Sequence, residues 1–408
     1  MEDSTLIYVS DCYEEDEFIV VRYEDVITEL VDKISKSKFI KSIEEKEVRF
    51  PIHNMIKSPS IYIDRFFLFE GEFDIDENGF KNTVKGGNES KARSLRGKLR
   101  VLNERAKLKL IGTVENEFDT SPTERDWYVC IFNVGNGESN LVVAPNGSLY
   151  LFDGGCLNQN ICKKIDLVMS YFKCNGINVE DKFSGFFISH CDGDHFRGVI
   201  EAMENVNTTD DCFVYYNYLS SYSKPSWVNA VVKIDQLVSS NKISNIVLIP
   251  RESELYLMNS IIPSLHTTWM WPYKDNRTQC VSYNVSSNDS SHCLYLSERK
   301  DNFSINFFGD AEIMAGDKII YDDHKMIDEF IFKPSHHGRK SGNIMLNCIP
   351  SVTMHDKFNS SIKVKSFVSS TKLNRHLTSE AKLGELTESA STAVIVKFSG
   401  GKTSLIKI

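Results

Sequence analysis

Ser189-His190-Cys191-Asp192-Gly193-Asp194-His195 places two imidazoles and two carboxylates within six residues, 190–195. The apolar run Gly185-Phe186-Phe187-Ile188 before it reads as a buried strand, and residues 195–206 after it read as a helix. The cluster therefore sits on a strand-to-helix junction. Imidazole nitrogen and carboxylate oxygen are the donors that borderline and hard divalent cations take, and Gly193 permits the tight turn that lets alternate side chains converge on one point. A chance cluster of solvated loop residues is the competing reading, and three further clusters weigh against it.

Each of those follows an apolar β-like run, the place where open α/β architectures display functional groups. Leu151-Phe152-Asp153-Gly154-Gly155 puts a carboxylate at a strand end, and Ile305-Asn306-Phe307-Phe308-Gly309-Asp310 does the same. The glycine before Asp310 permits close backbone approach. Phe330-Ile331-Phe332-Lys333-Pro334-Ser335-His336-His337-Gly338 ends in paired histidines. Five of the ten histidines, at 190, 195, 336, 337 and 376, then lie in polar clusters at strand ends.

Further strands are expected at 127–135, 140–145, 212–218, 245–250, 292–296, 364–369 and 392–398, with Asn146-Gly147 as a two-residue hairpin signal. Helices are expected at 161–173, 227–238, 325–332 and 379–386. Mixed strands and helices over residues 126–408 indicate a layered α/β domain. The polar stretch 115–126 reads as a linker, which puts the domain boundary there. Before it, residues 1–125 form a small α+β region of unknown role: 7–10, 17–23 and 60–73 look like strands, and Val26–Lys36 looks helical. Between Lys81 and Lys109 the composition turns basic, including Lys91, Arg93, Arg96, Lys98, Arg100 and Arg105. That strip is either a phosphate-contacting surface or the solvated face of a helix or loop.

The length of 408 residues suits two domains. Lys plus Arg number 47 against 56 Asp plus Glu, a net charge of −9, which argues against coating nucleic acid through charge alone. The ten cysteines are scattered and form no CxxC pair, so a reducing, cytoplasmic setting is expected. No export signal or membrane span is evident in the sequence. Nor is there a Gly-x-Ser-x-Gly elbow, a Walker motif or a Rossmann fingerprint.

The order VGNGES, FDGG, SHCDGDH, FFGDA, KPSHHG and NRH over residues 128–408 resembles the metallo-β-lactamase fold. More narrowly, it resembles the hydrolase domain of ComEC-type competence proteins. The resemblance implies an α/β, metallo-β-lactamase-like four-layer αββα sandwich holding one or two divalent ions, Zn²⁺ or Mn²⁺ with Mg²⁺ as a third option, at one edge of the two sheets. It implies that Asp194 and His195 are a ligand pair, that Asp310 bridges two metals where two are bound, and that His190 and Asp192 serve the second ion. One of His336 and His337 completes the site, with His337 set among the ligands, and the other contacts substrate or moves a proton. The sequence leaves that choice open. Asp153 orients ligands. Asp194 or a spare histidine shuttles the proton, and His376 binds the scissile phosphate, acts as general acid or is structural. Lys340, Ser341, Asn374 and Arg375 offer contacts to phosphate oxygens.

There are departures. Asp192 stands where most two-zinc members carry a second histidine, and the histidine usual upstream of the GD pair has no clear match. His266 and His292 are nearby, each with a loop or sheet role as the simpler reading. Glu138 replaces a usual aspartate. A bound divalent ion lowers the pKa of its water toward ~7, so the expected chemistry is hydrolysis, of a phosphodiester and most of all of nucleic acid. A small phosphodiester, such as a cyclic nucleotide or a phosphorylcholine-type ester, is the alternative substrate. A third reading is a partner-gated effector, in which residues 1–125 bind a protein and control the hydrolase domain.

Overall fold

The computed structural model describes, with short gaps, residues 4–51, 65–80, 126–216, 224–273, 287–297, 303–315, 329–338, 363–367, 386–387 and 392–408. Met1–Arg105 with Ser221–Lys233 form one compact unit, and Ala106–Ser220 with Ile234–Ile408 form a second.

In the first unit, β1 (Ser4–Glu15), β2 (Phe18–Asp32), β3 (Ser37–Pro51) and β4 (Arg65–Glu70) make an antiparallel sheet in the order β3-β2-β1-β4. A short ladder joins β5 (Ile75–Asp76) to β6 (Gly79–Phe80). Val26–Asp32, expected to be helical, instead continues β2 and pairs with β3, from Val26 opposite Ile43 to Asp32 opposite Ser37. The ladder pairs most of this segment, with irregularities between Ile27 and Thr28 and between Leu30 and Asp32, and its Val, Ile and Thr suit a pleated surface, so pairing overrides the helix-like spacing. The basic residues from Lys91 to Lys109 and the linker at 115–125 lie outside the described residues.

The second unit carries two larger sheets. Its chain enters through β7 (Trp127–Phe132), β8 (Ser139–Val143) and β9 (Leu149–Gly154), which are antiparallel, and continues through β10 (Phe183–Ile188), β11 (Thr208–Tyr216) and β12 (Asn245–Val247), which run parallel to β9. The parallel crossovers contain α1 (Ile161–Cys174), α2 (Gly193–Asn205) and α3 (Pro225–Ser239), the last with its residues up to Lys233 grouped with the first unit. The second sheet runs β13 (His266–Trp271), β14 (Cys293–Ser297), β15 (Phe303–Phe307), β16 (Glu329–Phe332), β17 (Lys363–Phe367) and β18 (Leu386–Thr387), in chain order. It too is antiparallel at first and parallel from β15 onward. Finally β19 (Ala393–Ser399) and β20 (Lys402–Lys407) return to the first sheet beside β7, giving the order β12-β11-β10-β9-β8-β7-β19-β20.

The two sheets share one apolar core. All six residues of β7 are buried, as the unbroken apolar run requires of a strand covered on both faces. Phe152 of β9 stacks on Phe307 of β15 with ring centroids 4.5 Å apart, and on Phe187 of β10 at 4.1 Å. Leu294, Leu296 and Ile305 join the same cluster. Each such side chain contributes about 1.5–3 kcal/mol by leaving water. The mixed α/β two-sheet sandwich implied by the resemblance is thus present. The segments linking β15 to β18 lie largely outside the described residues. No helix among the described residues is long and apolar enough to cross a membrane.

Two local expectations are corrected. Residues 325–332 were expected to be helical, but Glu329–Phe332 is strand β16, drawn into the parallel ladder between β15 and β17. The Asn146-Gly147 hairpin uses a longer loop: Gly147 N–H bonds to Ala144 O at 2.8 Å, and Ala144 N–H to Ser148 O at 3.0 Å. Gly147 has φ 92° while Asn146 is not left-handed, which is a turn through Pro145 and Asn146 closed by a glycine bulge rather than a two-residue turn. The expected helix at 379–386 lies outside the described residues apart from Leu386, which is in β18.

Helix α1 follows its sequence pattern: Ile161, Ile165, Val168 and Phe172 form the buried stripe, and the Asn160 side chain accepts from Lys163 N–H at 3.2 Å as its cap. Helix α2 approaches β9 glycine to glycine. A Cβ on Gly198 would lie 1.9 Å from Gly154 O, and one on Gly154 would lie 2.2 Å from Val199 N. This contact fixes where α2 begins, and hence where His195 stands. Alanine raises helix propensity by about 1 kcal/mol over glycine. We nevertheless expect Gly198→Ala to lower unfolding stability by about 1–3 kcal/mol in urea titrations, because the helix must be pushed off the strand. A variant as stable as the parent contradicts this packing.

Candidate metal centre

The polar groups gather where parallel strands end. Strand β9 carries Asp153 one residue before its end, and its neighbour β10 runs into Ser189 and His190. In the second sheet, β15 runs into Gly309 and Asp310, and its parallel neighbour β16 into Lys333 and a 3₁₀ turn, Ser335–Gly338. The two edges meet closely: a Cβ on Gly309, which has φ 50°, would lie 2.8 Å from Ser189 Cβ and 2.9 Å from Ser291 Oγ. Gly137, at φ 103°, brings the segment before β8 onto Asp194, whose carbonyl oxygen would lie 2.0 Å from an added Cβ.

Asp153 is the hub of the first edge. Its Oδ1 accepts from Ser189 N–H at 2.8 Å, and its Oδ2 from Ser189 Oγ at 2.7 Å and His195 Nδ1 at 2.8 Å. An ionised carboxylate only accepts, so Nδ1 of His195 carries the proton in that bond and Nε2 is turned away from Asp153. That Nε2 is 3.2 Å from Asp310 Oδ1. Burial works to raise the pKa of Asp153, but the adjacent His195 outweighs it and holds the carboxyl at about 2. For His195, burial opposes the charged form, yet Asp310 and Asp153 together raise its pKa well above the ordinary histidine value. The locus stabilises positive charge.

His190 is fully buried, with its ring centroid 4.2 Å from that of His195. Its Nδ1 meets Ser189 Oγ at 2.9 Å and Ser291 Oγ at 3.1 Å. Its Nε2 is buried without a hydrogen bond, 3.6 Å from Asp192 Oδ2. Ligand atoms of His190, His195 and Asp310 all lie within 4.8 Å of one another, so this trio could hold a metal ion. A buried imidazole nitrogen with no hydrogen bond, beside a second imidazole and a carboxylate, is the donor set that a divalent cation of the zinc class accepts. His336 adjoins the trio, with Nε2 3.6 Å from Asp310 Oδ2. A second close set, Glu138, Asp153 and His195, is engaged internally: Glu138 forms a buried ion pair with Lys333 and accepts from Asn140 Nδ2 at 2.9 Å.

The remaining expected residues divide as follows. Asp192 borders His190 and accepts from Ser287 Oγ at 2.5 Å. Asp194 is buried in the first turn of α2, and its carbonyl accepts from Glu138 N–H at 3.3 Å; its carboxylate belongs to neither close set. The side chain of His337 lies outside the described residues, as do Gly135, Lys340, Ser341, Asn374, Arg375 and His376. His266 is a half-buried strand residue opposite Ser297. His292 packs among Phe152, Phe187, Tyr215 and Trp269 with centroid distances of 5.8–6.3 Å. Sequence reasoning missed Ser189 and Ser291, whose hydroxyls sit on His190, the Lys333 partner of Glu138, and Glu312, which meets His336. Glu312 lies two residues beyond Asp310 and Ser291 directly before His292, so proximity to a strand-end cluster was the one available signal.

No protein-family model and no curated protein matches the chain. Among solved structures it is similar to a diphosphatase of the PhnP family, with 9% identity and a TM-score of 0.35 over 69% of this chain and 100% of that one. It is also similar to a protein of Thermotoga maritima described as a metallo-β-lactamase, with 15% identity and a TM-score of 0.26 over 46% and 79%. At these scores neither likeness bears on the role of any residue, which rests on the geometry above.

The buried His292 yields a pH prediction. Burial pushes its pKa down to about 4, below the ~6.5 of an exposed histidine. The folded chain therefore binds fewer protons than the unfolded one between those values, and stability falls as pH drops from about 6.5 to about 4, by about 3 kcal/mol from this group. Urea midpoints measured in chelator across that range should fall less steeply for His292→Leu than for the parent. Equal slopes contradict a neutral, buried His292.

Proposed function

We propose that residues 126–408 form a metal-dependent hydrolase domain of the metallo-β-lactamase type, that its substrate is a phosphodiester, and that nucleic acid is the favoured form. The observation that carries this is the meeting of His190, His195 and Asp310 in one buried cluster at the facing ends of two sheets. In this reading those three are ligands of a divalent ion, with His336 beside Asp310 as a further donor and Asp192 bordering His190. Asp194 and His337 keep the ligand or proton-transfer roles that the resemblance implies. Mixed nitrogen and oxygen donors suit Zn²⁺ or Mn²⁺.

Held by those residues, a divalent ion would supply an acidified water and Lewis acidity for hydrolysis at phosphorus. The chain's own residues do the rest. Asp153 keeps the proton on Nδ1 of His195, which fixes the ring and leaves Nε2 as the donor. The serines at 189 and 291 hold the His190 ring through Nδ1, so that its Nε2 faces the cluster. Burial of all these groups excludes bulk water and strengthens every charge interaction inside. The basic strip between Lys81 and Lys109 is where the sequence carries the positive charge that a phosphate backbone would need. The net charge of −9 favours the second reading, a small phosphodiester. Salt separates the two, since binding through several phosphates weakens steeply with ionic strength and binding through one does not.

The test is cleavage of single- and double-stranded DNA, RNA and bis(p-nitrophenyl) phosphate by metal-stripped full-length chain resupplied with Mn²⁺, Zn²⁺ or Mg²⁺. We expect metal-dependent hydrolysis that falls at least about 100-fold in Asp310→Ala and about 10–100-fold in Asp153→Asn. Polymer cleavage that is lost at high salt supports the nuclease, and cleavage of the small ester alone supports the second reading. Hydrolysis that survives both chelation and Asp310→Ala overturns the metal-dependent reading.

A further inference from the structure

His336 lies in the turn after β16 with φ 49°, a left-handed conformation that histidine visits more readily than most side chains and keeps when its surroundings fix it. Here they do. Its N–H bonds to Gly309 O at 3.0 Å, and the neighbouring Ser335 hydroxyl shares its one proton between Ala311 O at 2.6 Å and Gly309 O at 3.1 Å. These bonds tie the turn to the segment that carries Asp310.

The ring of His336 is held from one side by Glu312. Nδ1 lies 2.5 Å from Glu312 Oε1, and Nε2 points the other way, 3.6 Å from Asp310 Oδ2. Glu312 is itself anchored: its N–H donates to Asp289 Oδ1 at 3.0 Å, and that oxygen also takes Ala315 N–H at 3.1 Å. Asn288 Nδ2 approaches the Glu312 carboxylate at 3.5 Å. Because the carboxylate only accepts, the His336 proton belongs on Nδ1. Nε2 and Asp310 Oδ2 then face the same space, as two donors to one cation would.

We propose that Glu312 is a positioning residue: by holding the Nδ1 proton of His336 it fixes the tautomer and ring plane in which Nε2 joins Asp310 as a donor to the divalent ion. The inference rests on reading His190, His195 and Asp310 as a metal centre. It gives the second sheet the same device as the first, where Asp153 holds Nδ1 of His195 at 2.8 Å. Carboxylates that orient a ligating imidazole in this way typically change metal affinity by about 10–100-fold when removed.

The test is a Co²⁺ titration of metal-stripped full-length chain, followed by visible absorption, for the parent, Glu312→Ala, Glu312→Gln, His336→Ala and the Glu312→Ala/His336→Ala double variant. Glu312→Ala should weaken Co²⁺ binding by about 10–100-fold. Glu312→Gln, whose amide oxygen can accept the same proton, should restore most of the loss. In the His336→Ala background, removing Glu312 should cost nothing more. Binding by Glu312→Ala equal to the parent, or an equal loss with and without His336, overturns the inference while leaving the metal centre in place. A parent chain that does not bind Co²⁺ overturns the metal reading and this inference with it.

Discussion

Buried carboxylates need positive partners, and that requirement shapes the junction of the two sheets. Glu138, Asp153 and Asp310 are all nearly inaccessible to water, and breaking up a buried charge pair costs about 3–5 kcal/mol. Glu138 is matched by Lys333, a pair that joins the segment before β8 to the end of β16. Asp153 and Asp310 share one imidazole, His195, which takes Asp153 on Nδ1 and faces Asp310 with Nε2. Two carboxylates around one imidazole leave an excess of negative charge in a dry place. The field that raises the His195 pKa is the field that attracts a cation.

The sheets meet this requirement by the same geometric means. Each begins antiparallel and turns parallel, and in each the first parallel pair of strands releases its functional groups at the same end: Asp153 and His190 from β9 and β10, Asp310 and His336 from β15 and β16. Parallel strands side by side bring residues far apart in sequence into contact at their carboxyl ends. The aromatic stack of Phe152 on Phe307 holds those two edges in register from below. Gly309 lets them close to van der Waals contact from above.

Much of this was legible in the sequence because apolar runs ending in Asp, His and Gly mark strand ends. The runs at 149–153, 185–190 and 305–310 fall as expected, and three of the expected ligands, His190, His195 and Asp310, come together. The Val26–Asp32 segment was misread because its helix-like spacing says nothing about a long partner strand, and residues 325–332 because a short apolar run suits either a helix or a buried strand. The Glu138–Lys333 pair could not be read at all: its members are 195 residues apart and meet only when the sheets do. Glu312 was overlooked for a different reason, since it touches no part of the expected ligand set except through His336.

The central claim is that His190, His195 and Asp310 hold a divalent cation. Anomalous diffraction from crystals of the full-length chain grown with Zn²⁺ or Mn²⁺, collected on each side of the metal absorption edge, tests it most directly. The account predicts a peak about 2.0–2.2 Å from His190 Nε2, His195 Nε2 and an Asp310 carboxylate oxygen. A metal bound elsewhere, or full metal loading with no peak between those three side chains, would contradict it.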